Sequence, residues 1–191
     1  ANPLIQRDGM RLLSVLIVPG KVSENYEGAT RHGNVQMVWY DSPTLGFERR
    51  MYVYTPYGYE NVKNKKVQYP VLYLLHGGGC DEDTWESMGR VTAIMDNLIE
   101  KGQAKPMLVV MPNGNPTQSS SPFMQIPAPE KAAELRSVRN AYVNSLVKDI
   151  IPYVESHYRV IRKKSGRAVS GLSMGGGHTL AVTAAYPDTF D

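Results

Sequence analysis

Ser173 sits in Gly171-Leu172-Ser173-Met174-Gly175, a Gly-x-Ser-x-Gly pattern whose chemistry is nucleophilic attack on an acyl carbon. In a nucleophile elbow the serine occupies a tight strand-to-helix turn that holds Oγ out at the sheet edge. Glycines two places before and after are needed because a Cβ there would collide with neighbouring backbone. A second glycine motif, His76-Gly77-Gly78-Gly79-Cys80, lies upstream. Acyl transfer builds negative charge on a carbonyl oxygen, and backbone N–H groups are the usual means of stabilising it. The Met174 amide, directly after the serine and at a helix N-terminus, suits that task, and a glycine loop supplies a second donor without side-chain interference. Alone, His-Gly-Gly-Gly also fits a tight turn or a phosphate loop; the elbow downstream favours acyl transfer.

A serine hydroxyl needs a base, and the base needs a carboxylate to orient it. In this fold class both follow the elbow, acid first and histidine second. After Ser173 the chain has a single histidine, His178, five residues along the same predicted helix. Neighbours on a helix face are three or four apart, so His178 reads as a surface or packing residue that points away from the serine. His76 reads as a loop-stabilising group, and His32 and His157 lie in segments unconnected with the motifs. Asp188 and Asp191 follow the elbow helix too closely to return to the sheet edge. The expectation is a chain that stops before its acid and base and before the remaining strands.

The elements that must position these motifs can be read from hydrophobic period. Residues 12–18 suggest a strand, and residues 34–40 and 46–54 suggest an antiparallel pair around Asp41-Ser42-Pro43. In the second of the pair Phe47, Arg49, Met51 and Val53 share one face, and Glu48, Arg50, Tyr52 and Tyr54 the other. Trp39 is expected in the core. The continuous apolar runs at 71–75 and 107–111 suit strands buried on both faces. Val91, Ile94, Met95, Leu98 and Ile99 give an amphipathic helix that Gly102 stops. A polar, proline-rich loop over about 115–131 is a candidate cleft wall. Residues 134–158 read as one long helix with Val143, Val147, Ile151, Val154 and Tyr158 on its apolar stripe and a kink at Pro152. The run 167–170 ends a third buried strand, and 174–186 forms the helix after the elbow. Strands alternating with helices predict an α/β protein with a mostly parallel central sheet, antiparallel N-terminal strands and no completed C-terminal edge. Ligands bind at the carboxyl ends of such strands, where both glycine motifs fall.

Composition narrows the classes. An apolar fraction of 42% with 20% charged residues suits a globular domain. The net charge is +3, and the basic clusters Lys63-Lys65-Lys66 and Arg162-Lys163-Lys164 read as solvated loops without the continuous stripe nucleic-acid binding needs. No apolar run approaches the roughly 18 residues of a membrane span. One cysteine, Cys80, excludes an internal disulfide. The chain opens at Ala1 without a signal-peptide core, which suggests that a leader or upstream domain was removed or not included.

Taken together, Val35-Gln36-Met37-Val38-Trp39-Tyr40, Arg50-Met51-Tyr52-Val53-Tyr54-Thr55-Pro56, Tyr73-Leu74-Leu75-His76-Gly77-Gly78-Gly79, Val110-Met111-Pro112-Asn113-Gly114, Asp149-Ile150-Ile151-Pro152-Tyr153 and the elbow resemble the esterase D-like α/β-hydrolases. The similarity is to bacterial feruloyl and acetylxylan esterases of carbohydrate esterase family 1, over about residues 34–191. The resemblance implies Ser173 as nucleophile, the Gly78 and Met174 amides as oxyanion hole, and Gly79, Cys80 and Asn113 along the substrate site, with Cys80 equally readable as packing or an inert thiol. It implies no cofactor or metal, and feruloylated or acetylated xylan as the partner, with no role for nucleic acid or membrane. It also implies a secreted or periplasmic location, and residues 1–25 as a linker or the tail of an upstream carbohydrate-binding-like domain, with the esterase domain over 26–191. A thioesterase resembling S-formylglutathione hydrolases and a non-catalytic carbohydrate-binding homologue are the rival readings.

Overall fold

The computed structural model describes residues 5–138 and 140–191. Its strands are β1 (Ile5–Asp8), β2 (Arg11–Ser14), β3 (Asn34–Ser42), β4 (Phe47–Thr55), β5 (Val71–Leu75), β6 (Leu108–Pro112) and β7 (Arg167–Gly171). Its α-helices are α1 (Thr84–Ser87), α2 (Val91–Glu100), α3 (Ala132–Leu135), α4 (Ala141–Ser145), α5 (Ile151–His157) and α6 (Met174–Ala185). β1 and β2 form a separate hairpin, while the five-stranded sheet has the order β3-β4-β6-β5-β7. β4 runs against both β3 and β6, whereas β6, β5 and β7 are parallel. Only β4 therefore opposes the common direction, the arrangement of an α/β-hydrolase sheet.

Helices cover both faces of β5 and β6, as parallel strands buried on two sides require, whereas β7, expected to be buried as well, leaves Ala168 and Ser170 exposed. On one face Met51, Val53, Val71, Tyr73, Leu75 and Val110 meet Val143, Leu146, Ile150 and Val154, with Val182 of α6 in the same cluster. On the other, Tyr54, Val109 and Met111 meet Val91 and Met95 of α2. The alternation along β4 thus sends Met51 and Val53 to one layer and Tyr54 to the other. Trp39, expected in the core, is 41% exposed on β3, which has a neighbour on one side only. Among the described residues no helix is long and apolar enough to cross a membrane.

Two further segments depart from the sequence reading. The strand expected over 12–18 shortens to β2, and Leu16 and Val18 beyond it are exposed because no second layer covers them. The single helix expected over 134–158 divides. Asn140 takes a left-handed conformation (φ 59°) just before α4. Between α4 and α5 the backbone widens into a π-turn over Leu146–Ile150. Pro152, which has no N–H to offer the carbonyl four residues back, lies two residues beyond its end. The Asp149 carboxylate in that turn accepts hydrogen bonds from Ser42 Oγ (2.6 Å) and Thr44 Oγ1 (2.8 Å), fastening the helix layer to the β3–β4 turn.

α6 approaches the sheet backbone to backbone. A Cβ on Gly175 would lie 2.4 Å from Leu75 O, and one on Gly171 would lie 2.4 Å from the carbonyl carbon of Gly175, whereas Gly177 faces open space. Gly175→Ala is therefore expected to cost about 1–3 kcal/mol, because a core already in contact has no room for a methyl. Gly177→Ala is expected to stabilise by up to about 1 kcal/mol through helix propensity. Urea denaturation of both variants checks the pair of signs.

Candidate active site

Leu75 at the end of β5 pairs with Gly171 at the end of β7, so the two glycine motifs leave the sheet side by side. Leu172 N–H donates to Leu75 O (3.2 Å), Gly175 N–H to Leu172 O (2.8 Å), and Gly177 N–H to Ser173 O (2.9 Å), which closes the turn between strand and helix. The turn forces Ser173 to φ 77°, ψ −101°, a backbone state that costs a non-glycine residue about 1–3 kcal/mol and that clusters at functional sites. The serine is exposed. A Cβ on Gly77 would lie 3.7 Å from Ser173 Cβ, so the glycine loop passes directly beside it. Among the described residues neither the Gly78 nor the Met174 amide donates a hydrogen bond to another main-chain group. Met174 also opens a 12-residue helix, whose dipole favours an anion at that end.

The loop carrying Gly78 is held from both ends. On its N-terminal side, Gly114 N–H donates to His76 Nε2 (2.7 Å), which leaves the ring proton on Nδ1, facing Gly77 O (2.8 Å). Burial holds the His76 pKa below the ordinary histidine value, so the ring is neutral and both nitrogens are committed. On the C-terminal side, Glu82 accepts from Arg50 Nε (2.7 Å), Asn113 Nδ2 (2.9 Å) and Ser121 N (2.7 Å). Burial pushes its carboxyl pKa up, opposed by the Ser121 amide and Arg50. Arg49 reaches past this network and donates from Nη2 to Asn113 O and Asn115 O, both 2.7 Å away, and from Nε to Gln118 O (3.1 Å). The start of the long loop after β6 is thereby fixed by carbonyls that bind a buried guanidinium.

Of the residues singled out in the sequence, Ser173, Gly78, Gly79 and Met174 come together at the carboxyl end of β5 and β7. Gly79 is exposed at φ 77° and Cys80 is half-buried beside it. Asn113 is corrected. It is fully buried, with Nδ2 on Glu82 and Gln118 and Oδ1 accepting from Asn115 N–H (2.9 Å), so it supports the loop and has no free atom for a substrate. His178 packs its ring 4.7 Å from that of Tyr142. Arg49, Arg50, Asp81 and Glu82 belong to the surroundings of the site although no motif in the sequence marks them. The available signal was a pair of arginines in an otherwise core-forming strand and acids immediately after a glycine loop. Among the described residues no cluster of histidine, cysteine and carboxylate side chains could hold a metal ion.

Fold and site together define an α/β-hydrolase with an elbow serine. The chain belongs to the Esterase family, whose model matches residues 42–191. It is 38% identical over 166 residues to an endo-1,4-beta-xylanase/feruloyl esterase of Xylanibacter ruminicola, covering 86% of this chain and 22% of that protein. The structure of a CE1 ferulic acid esterase from Anaeromyces mucronatus superposes with a TM-score of 0.68 at 28% identity, over 86% of this chain and 57% of the other. S-formylglutathione hydrolase of Staphylococcus aureus gives 0.60 at 22% identity, over 83% and 55%, a likeness of fold alone. The chain thus spans about a fifth of the Xylanibacter relative and a little over half of each solved chain.

The buried neutral His76 sets a pH dependence. Its folded pKa lies below the unfolded value of about 6.5. Its contribution is therefore complete above that pH and is lost as pH falls below it, where the unfolded chain binds a proton that the folded chain refuses. His76→Gln is expected to flatten the decline in unfolding free energy between pH 7.5 and 5.5, measured by denaturant titration at each pH.

Proposed function

We propose that this chain carries the nucleophile half of a serine carboxylic-ester hydrolase that removes feruloyl or acetyl groups from plant xylan. The observation that carries the reading is the exposed, backbone-strained Ser173 next to the glycine loop, with the amides of Gly78 and Met174 donating to no other main-chain group among the described residues. Ser173 Oγ attacks the ester carbonyl, and its proton passes to a general base. The carbonyl oxygen becomes an oxyanion that the two amides receive, a stabilisation for which one donor is typically worth about 3 kcal/mol. Collapse expels the sugar hydroxyl, which takes a proton back from the same base, and leaves an acyl-enzyme on Ser173. Water then attacks that acyl group and releases a hydroxycinnamate or acetate.

His76 is excluded as the base because both ring nitrogens are occupied, and His178 lies within α6 with its ring tilted at 45° against that of Tyr142; this reading assigns no described residue as the histidine or carboxylate of the triad. The xylan assignment is supported by the relative from Xylanibacter, whose name couples a xylanase with a feruloyl esterase. The same reading makes the protein secreted or periplasmic, with residues 1–25 as a linker or the tail of an upstream carbohydrate-binding-like domain.

The full-length protein is expected to react with a fluorophosphonate at Ser173 and to hydrolyse feruloylated or acetylated xylo-oligosaccharides. Ser173→Ala should abolish labelling and reduce kcat by at least about 10³-fold. An unlabelled wild type would sink the reading in favour of a carbohydrate-binding homologue, and activity confined to glutathione thioesters would overturn the xylan assignment.

A further inference from the structure

The loop that bears Gly78 has two exposed glycines and nothing within 4 Å of where a Gly78 side chain would begin. Consecutive glycines have more conformational freedom to lose than any other residues, so the direction of the Gly78 amide depends on what holds the ends of the loop. His76 holds one end and Glu82 the other, through partners within residues 42–191. Asp81, between Cys80 and Glu82, is held differently. Asp81 is 1% exposed, and its carboxylate accepts from Ser121 Oγ (2.7 Å) on one side. On the other it takes a two-pronged contact from Arg7, with Nη2 at 2.6 Å and Nη1 at 3.1 Å.

Arg7 comes from the β1–β2 hairpin, outside the stretch matched by the family. β2 is exposed along its whole length, yet the Arg7 side chain is only 8% exposed. Its guanidinium also donates to Asp83, with Nε 3.1 Å from Oδ2, and lies 5.4 Å from the centre of the Phe123 ring. Ser87 Oγ donates to the Arg7 carbonyl (3.3 Å). The hairpin turn touches the glycine loop itself, since a Cβ on Gly9 would lie 2.8 Å from Gly79 O. Burial alone would push the Asp81 carboxyl pKa up, but the Arg7 and Ser121 hydrogen bonds outweigh it and hold it below the ordinary carboxylate range. Asp81 is thus an anion whose charge is met by one residue far away in sequence and three positions from the amide that matters.

We infer that Arg7 is a positioning residue for the ester-hydrolase reaction: through Asp81 it fixes the glycine loop so that the Gly78 amide faces the oxyanion, which makes the N-terminal hairpin part of the catalytic unit. The inference rests on the function proposed above. A fixed donor acts on the transition state more than on the bound ester, so its loss is read in kcat.

The experiment uses full-length protein and methyl ferulate, with active sites counted by end-point fluorophosphonate titration so that unfolded molecules are not scored. Arg7→Met is expected to lower kcat per titrated site by about 10- to 100-fold, the range for a displaced catalytic group, with KM within about twofold. Arg7→Lys should recover part of that loss, because it restores the charge without the fork. Asp81→Asn should lower kcat comparably. The double variant Arg7→Met/Asp81→Asn should be no slower than the slower single, because both act through one contact. It also keeps the test open should Arg7→Met fail to fold with Asp81 left unpaired. Unchanged kcat per site with only a lower melting temperature, a loss confined to KM, or additive losses would overturn the inference. A wild type that neither labels nor turns over methyl ferulate would instead sink the hydrolase reading, and the inference with it.

Discussion

The structure depends on one close approach, that of the α6 backbone to the end of β5 at Gly175. With no side chain there, the helix starts within contact distance of Leu75 O, and Gly171 in turn admits Gly175. Those two contacts leave no path between strand and helix except the sharp bend that lifts Ser173 out of the sheet. The parallel register of β5 and β7 then decides what the bend faces. A slip of one residue would turn every side chain of β7 to the opposite layer and carry the serine away from the glycine loop.

Around this backbone frame lies an unusual amount of buried charge. Arg49, Arg50, Asp81 and Glu82 are all at most 4% exposed. Burying one such group without a partner is strongly destabilising, whereas a paired and hydrogen-bonded group tolerates the interior. Arg50 and Glu82 pair directly, Asp81 pairs with Arg7, and Arg49 uses main-chain carbonyls in place of a carboxylate. These groups hold irregular backbone that no apolar contact could orient, because loops offer carbonyls and amides more readily than side-chain surface. Directional bonds suit a site in which the positions of two amides matter.

The sequence is informative where geometry follows from a local rule. Gly171 and Gly175 announce the elbow because only glycine fits two backbones that touch, and the apolar runs at 71–75 and 107–111 identify strands covered on both faces. The alternation along β4 even assigns Met51, Val53 and Tyr54 to their layers. What escapes such reading is pairing over long separations. Nothing local to Arg7 reveals that Asp81 lies beside it, and Asn113 resembles a cleft residue until its partners are known. The interruption at Asn140 and the π-turn before Pro152 were hidden by an apolar stripe that continues through both, since Val143, Ile151 and Val154 remain buried regardless of the break. Trp39 reads as a core residue because its strand looks the same whether or not a second layer covers it.

The backbone angles of Ser173 carry a consequence for how this protein tolerates change. At φ 77° a glycine would be more comfortable than the serine. Selection for thermal robustness alone would therefore drift toward erasing the hydroxyl, as would a library screened only for soluble expression. Folding fitness and reactivity pull in opposite directions at this one position.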